Sequence, residues 1–209
     1  MNIPVVFEDD WLLVVNKPAG LLTVPASKNE TRTLTSILNQ DAEEKNLKYR
    51  FYPCHRLDRQ VSGLLIYAKG KNIRTKLTDA FRNRKIRKKY IAFVHGKLPT
   101  REGQISSAIA GKSALTKYRV LQEKSNYSVV EVFPVTGRTN QIRIHFKSFR
   151  HPLVGEDKFA FRKDFALRAK RVCLHAKYLE FKHPQIGDTV ELNVPLPEDM
   201  QKFLEAHQS

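Results

Sequence analysis

The length of its apolar runs limits this chain more than any other feature. "WLLVV", "GLLIYA", "YIAFV", "YSVVEVFPV" and "CLHAKYLEF" run for five to nine residues, and turn-forming or basic residues follow each one. Runs of that size suit strands, and none approaches the roughly 20 apolar residues needed to cross a bilayer as a helix. "WLLVVNKP" reads as a strand ended by a proline turn, and "GLLIYAK" and "KKYIAFVHGKL" as further strands. "ALTKYRVLQEK" and "YSVVEVFPV" read as neighbours across Ser125-Asn126. "VCLHAKYLEF" and "TVELNVPLP" form a second such pair across His183-Pro184 and Gly187-Asp188.

Helical spacing is confined to a few segments. "TLTSILNQDAEEKNLK" predicts a helix with Thr33 or Thr35 near its start. Between Lys71 and Arg84, the residues Ile73, Leu77, Ala80 and Phe81 define one apolar face. "EDMQKFLEAH" predicts a short closing helix with acids at its positive end. Long antiparallel pairs with few helices argue an α+β domain on a mixed sheet. Without repeats or Gly/Ser-rich linkers, residues 1–209 are expected to form a single catalytic domain.

Charge narrows the partner. With 37 Lys+Arg against 21 Asp+Glu, the formal net charge is +16, which favours a polyanion, with nucleic acid the first candidate. The bases are concentrated. Lys69 to Lys89 holds ten of them against Asp79 alone, and a second stretch (Arg162, Lys163, Arg168, Lys170, Arg171, against Asp164) falls in a segment read as a loop. Solvation explains many such runs, but this density suits phosphates. Tyr90, directly after the first run, is either a strand residue at a sheet edge or an aromatic that stacks on an unpaired base.

The N-terminal residues "MNIPVVFEDD" lack the basic start and apolar run of a secretory signal, so a cytoplasmic protein without membrane attachment is expected. Cys54 and Cys173 are then expected as reduced, partly buried thiols. Neither belongs to a Cys-x-x-Cys pair, and no His-x-x-x-His pair is present, so no metal site is expected.

The chemistry sits in "HRLDRQVSGLLIYAK", where polar residues lead without a loop into an apolar strand. Asp58 is a turn aspartate at the mouth of that strand, or a carboxylate kept ionised by a guanidinium and usable as nucleophile or base. A second stretch, "GRTNQIRIHF", is ambiguous. Ile142, Ile144 and Phe146 alternate like a strand, while Ile142, His145, Phe146 and Phe149 share a helical face. On the helix Arg143 borders the apolar stripe, facing either solvent or a polar site.

These two stretches resemble the signatures of the RluA-type RNA pseudouridine synthases, close to His-Arg-Leu-Asp-x-x-Thr-Ser-Gly-Leu-Leu and Gly-Arg-Thr-His-Gln-Ile-Arg-Val-His. "NKPAGLLTVP", "KKYIAFVHG" and "HPLVGEDKF" with "CLHAKYLEFKHP" match in order, so the resemblance spans nearly the whole chain. It implies a mixed, mainly antiparallel sheet flanked by helices and loops with a central RNA cleft, residues 140–149 being helical. It also implies isomerisation of uridines in ribosomal or transfer RNA, with no cofactor.

By the same resemblance Asp58 is the catalytic aspartate, Tyr90 stacks on the uracil and removes its proton, and Arg143 pairs with Asp58. Arg56 inserts where the target nucleotide leaves the stack. His55, Arg59, Arg138, Asn140, Lys85, Arg87 and Lys88 are the further RNA contacts expected. Val61 and Asn140 stand where the family has Thr and His, and Glu156-Asp157 where Gly-Asp is common. Compared with relatives that carry an N-terminal S4-like domain, this chain is expected to be the catalytic domain alone and monomeric. A basic RNA-binding factor without chemistry, or a small-molecule hydrolase using Asp58, are the competing classes.

Overall fold

A computed structural model describes residues 3–27, 29–160 and 167–208. Arg162, Lys163 and Asp164 of the second basic stretch lie outside the described residues. The fold is α+β, with mixed, mainly antiparallel strand pairing and four helices among the described residues. Contacts divide the chain into two units. The first runs up to Arg87 and includes Tyr178–Val194; the second comprises Lys88–Lys177 and the chain from Pro195.

The first unit contains β1 (Val5–Glu8), β2 (Leu12–Lys17), α1 (Leu34–Glu44), β3 (Phe51–Pro53), β4 (Ser62–Lys69) and α2 (Lys71–Arg82). Its strand order is β1-β2-β4-β9, where β9 is Leu174–Lys182; β3 pairs with β4, and β10 (Thr189–Asn193) pairs with β9. β2 and β4 run antiparallel, Leu12 opposite Ala68 and Lys17 opposite Gly63. Every residue of β4 from Ser62 to Ala68 is buried, which explains why its sequence is an unbroken apolar run rather than an alternation. Leu64 and Ile66 pack with Leu12, Val14, Leu179 and Phe181, and α2 closes this core with Ile73 and Leu77.

α1 starts as the sequence predicts. The Thr33 hydroxyl accepts from Ser36 N–H, and the Ser36 hydroxyl accepts from Thr33 N–H, a reciprocal cap.

The second unit holds most of β5 (Arg87–His95), with β6 (Glu102–Ser106), β7 (Leu115–Glu123), β8 (Tyr127–Pro134), α3 (Gln141–Ser148) and α4 (Glu198–Ala206). The order here is β9-β5-β8-β7-β6. Alternation is clear on β7, where Thr116, Tyr118 and Val120 point inward. Ile91, Phe93, Tyr127 and Val129 make the core with Met200 and Phe203 of α4. The Tyr127 hydroxyl donates to the His207 carbonyl at 2.8 Å, fastening the end of that helix.

The ambiguous stretch is helical. Asn140 takes a left-handed conformation (φ 53°) within the turn that Gln141 N–H closes on the Arg138 carbonyl at 3.1 Å, and Ile142, His145 and Phe146 then turn inward together. Both cysteines are free and buried, and burial pushes each thiol up to about 12. No described helix is long and apolar enough to cross a membrane.

Candidate active site

Asp58 lies in the loop between β3 and β4 in the first unit, and this loop is fixed at several main-chain groups. Val61 N–H donates to the Asp58 carbonyl at 3.1 Å, closing a turn over Arg59 and Gln60. One residue earlier, Leu57 is gripped at both backbone groups by the Thr23 hydroxyl, which donates to its carbonyl (3.0 Å) and accepts from its N–H (3.2 Å). One residue later, the Arg59 carbonyl accepts from Gly20 N–H at 2.7 Å. The Lys17 ammonium, wholly buried, donates to the carbonyls of Pro18 (2.9 Å), Leu21 (2.8 Å) and Arg59 (3.5 Å). "NKPAGLLT" is therefore the cradle of the Asp58 loop.

Gly63, at φ 117°, redirects the chain from this loop into β4, a conformation that side chains disfavour. Val61 is buried, so the residue standing where the family has Thr belongs to the packing beneath the loop.

Tyr90 and Arg143 belong to the second unit. Tyr90 is half-buried on β5, opposite Val132 of β8. Lys88 shares its face of the strand, two residues back, and burial lowers the pKa of the Lys88 ammonium.

Arg143 is 5% exposed, and its guanidinium is gripped on several sides. Nε donates to Glu156 Oε2 at 2.8 Å and Nη2 to Oε1 at 2.7 Å, a two-pronged pair. Nη1 donates to Asn140 Oδ1 at 3.2 Å, and the Phe159 ring lies 5.1 Å from the guanidinium carbon. Glu156 is itself oriented, since Oε1 also accepts from the N–H groups of Lys158 (2.9 Å) and Phe159 (3.2 Å). Just before it, Gly155 sits at φ 79°, and a Cβ there would collide with the Arg171 carbonyl.

The sequence model described as RNA pseudouridylate synthase matches residues 11–148. The chain belongs to this family. It is 36% identical to the uncharacterized RNA pseudouridine synthase YlyB of Bacillus subtilis, across 98% of this chain and 73% of that protein. It is 35% identical to the dual-specificity RNA pseudouridine synthase RluA of Haemophilus influenzae, across 91% and 92%. Ribosomal large subunit pseudouridine synthase D of Neisseria meningitidis is 33% identical over 98% of this chain, which spans only 61% of that longer protein. Among solved structures, human RNA pseudouridylate synthase domain containing 4 shares the fold, with a TM-score of 0.82 at 22% identity, covering 98% of this chain and 93% of its own.

Within this pseudouridine synthase, the remaining residues expected on the RNA face fall into two groups. Several have internal partners. His55 Nε2 accepts from Ile66 N–H at 3.1 Å, placing the ring proton on Nδ1, and the ring lies 4.5 Å from that of Phe81. Arg59 pairs with Glu30, and Arg87 pairs with Glu180 at 3.1 Å. Arg138 donates from Nε to the Ser113 carbonyl at 3.1 Å. Asn140 supports Arg143, as above. By contrast, Arg56 and Lys85 are exposed, and no partner of either head group occurs among the described residues.

The second basic stretch is used structurally at Arg171. Its guanidinium pairs with both oxygens of Asp199 (2.6 and 3.0 Å) and donates to the carbonyls of Val172 and Leu174. Sequence reasoning missed Lys17, Thr23 and Glu156 as parts of the site's support. It also missed Gln141, whose amide binds Thr136, Arg138 N–H, the Leu115 carbonyl and Thr116, tying the start of α3 to β7.

Proposed function

We propose that this protein isomerises specific uridines in structured RNA, ribosomal or transfer, to pseudouridine, with its two units acting as one catalytic domain. The observation that carries the reading is the fixed loop presenting Asp58, in a chain that belongs to the RNA pseudouridylate synthases. The name of one relative, a ribosomal large subunit enzyme, supports ribosomal RNA, and that of another, a dual-specificity enzyme, supports more than one target; transfer RNA is the second class that the family resemblance implies.

In the proposed mechanism the bond from ribose C1′ to uracil N1 breaks, the base turns while bound, and C1′ bonds to C5. The C5 proton is lost and N1 gains one, so atoms balance without an external reactant. Asp58, in its ionised form, attacks the sugar or assists loss of its proton, and Arg143 is the arginine that the family resemblance assigns to holding such a carboxylate ionised. Tyr90 stacks on the extruded base and takes the C5 proton. Arg56 fills the gap left in the RNA, offsetting the few kcal/mol lost in unstacking.

Tritium at uridine C5 reads this chemistry directly. Wild-type protein is expected to release tritium from ribosomal or transfer RNA transcripts, whereas Asp58→Asn binds the same RNA and releases none. Turnover by purified Asp58→Asn would overturn the assignment. Tyr90→Phe is expected to keep RNA affinity and slow single-turnover release; an unchanged rate would remove its proton role.

A further inference from the structure

The bases around α2 are not equivalent, because some are already spoken for. On the flank of α2 near Pro184, Lys76 donates to the Pro184 carbonyl (3.3 Å) and to Gln185 Oε1 (3.2 Å). On its outer face Arg82 pairs with Asp79 at 3.1 Å. Arg74 and Lys85 differ. Both are exposed, and among the described residues neither head group has an ion-pair or hydrogen-bond partner.

Two contacts and one charge effect describe their surroundings. Arg74 lies near enough to Cys54 for its charge to oppose the upward push of burial on that thiol. Seven residues on, and so on the same flank of the helix, Phe81 packs its ring on His55 at 4.5 Å. After α2 the chain turns back at Arg84 (φ 58°), and Lys85 N–H donates to the Ala80 carbonyl at 2.9 Å. This flank thus runs beside Cys54-His55-Arg56, the stretch that leads to Asp58, and Arg56 is likewise exposed and unpartnered among the described residues.

We propose that Arg74 and Lys85, continuing from Arg56, form a phosphate track that holds the RNA backbone next to the target uridine. The inference rests on the RNA-substrate reading above and adds which cations engage. A cation already engaged, Arg82 by the Asp79 carboxylate and Lys76 by the Pro184 carbonyl and Gln185, must give up that partner before it meets a phosphate, whereas free exposed ones release counterions when a phosphate replaces them. Lys76 and Arg82, already engaged, keep the protein basic without contacting RNA.

The test compares two double variants on and just after α2 with equal loss of charge, Arg74→Gln/Lys85→Gln and Lys76→Gln/Arg82→Gln. Affinity for a large-subunit ribosomal RNA transcript and a transfer RNA transcript is measured from about 50 to 200 mM salt. The first variant is expected to flatten the slope of log K against log salt by about 1.5, two phosphates at roughly 0.7–0.9 each. It should raise KM and leave kcat at saturating RNA unchanged. The second variant should keep the wild-type slope. Equal flattening by both would show a diffuse field of charge and overturn the track, as would flattening by neither. Wild-type binding with the expected difference between variants, but no tritium release from any RNA, would remove the isomerase reading and leave the track standing.

Discussion

The loop carrying Asp58 and the helix carrying Arg143 are both rigid, but they are held by different means. Around Asp58 the loop is held at backbone groups: the carbonyls of Leu57, Asp58 and Arg59 and the N–H of Leu57. Around Arg143 they fall on the side-chain head group itself, on Nε, Nη1 and Nη2. The lengths of the two side chains explain the difference. An aspartate carboxyl is two bonds from the main chain, so fixing the backbone nearly fixes the acid. A guanidinium ends a flexible stem with large rotamer entropy, and only a grip on the head holds it in one place.

If that account is right, the largest structural effect in the first region comes from Lys17, which touches no substrate in the proposed mechanism. Lys17→Met keeps the length of the side chain and removes the donor from three carbonyls. Buried carbonyls left without a partner are costly, so a loss of roughly 3 kcal/mol is expected in urea unfolding, with kcat falling as the Asp58 loop loosens. A variant with wild-type stability and turnover would show that the loop does not depend on its cradle.

The sequence made part of this contrast readable. The runs that became β2, β4, β5, β8 and β9 announce themselves because each buries enough apolar surface to dictate its own state. β1, β3 and β6 do not; at three to five residues they take their stability from neighbouring strands. Residues 141–148 fit both periodicities because eight residues span barely two helical turns. Asp58 could be singled out from its polar surroundings, but the inward turn of the Lys17 ammonium leaves no mark in "NKPAG". Likewise "GEDKF" offers two adjacent acids, and only the fold shows that Glu156 takes the guanidinium while Asp157 stays 3.9 Å away.

A second prediction separates the two units by pH. In the second unit burial drives His95 and His175 down from 6.5 to about 4, aided at His175 by the charge of Arg171. Burial also lowers His145, which sits between Thr116 and the Ser107 carbonyl. A group with a lowered pKa in the folded state binds more protons unfolded. Stability from His95 and His175 is therefore complete above pH 6.5 and is lost as pH falls toward 4, by at most about 1.4 kcal/mol per pH unit for each histidine. Between pH 7 and 5.5 a loss of about 2 kcal/mol is expected, with amides of β5 and β7 gaining hydrogen-exchange rate first. Replacing His175 with Gln should flatten that dependence; an unaltered pH profile would show that these histidines do not drive it.

The smallest effect expected is also the one that most sharpens the comparison. Glu156→Gln keeps the shape of the acid facing Arg143 and removes its charge, and one of the two prongs becomes an amide facing a guanidinium donor. Asn140 and Phe159 still hold the head group from other sides, so the arginine remains in the structure but is less tightly oriented. Turnover is expected to fall about tenfold, near 1.4 kcal/mol in the barrier, while KM for RNA stays unchanged because no phosphate contact is lost. Glu156→Asp should restore part of the rate if the carboxylate orients the guanidinium. Equal loss in both variants, with lowered stability and no separation of kcat from KM, would mean that Glu156 only packs the loop, and the grip on the guanidinium would lose its part in the chemistry.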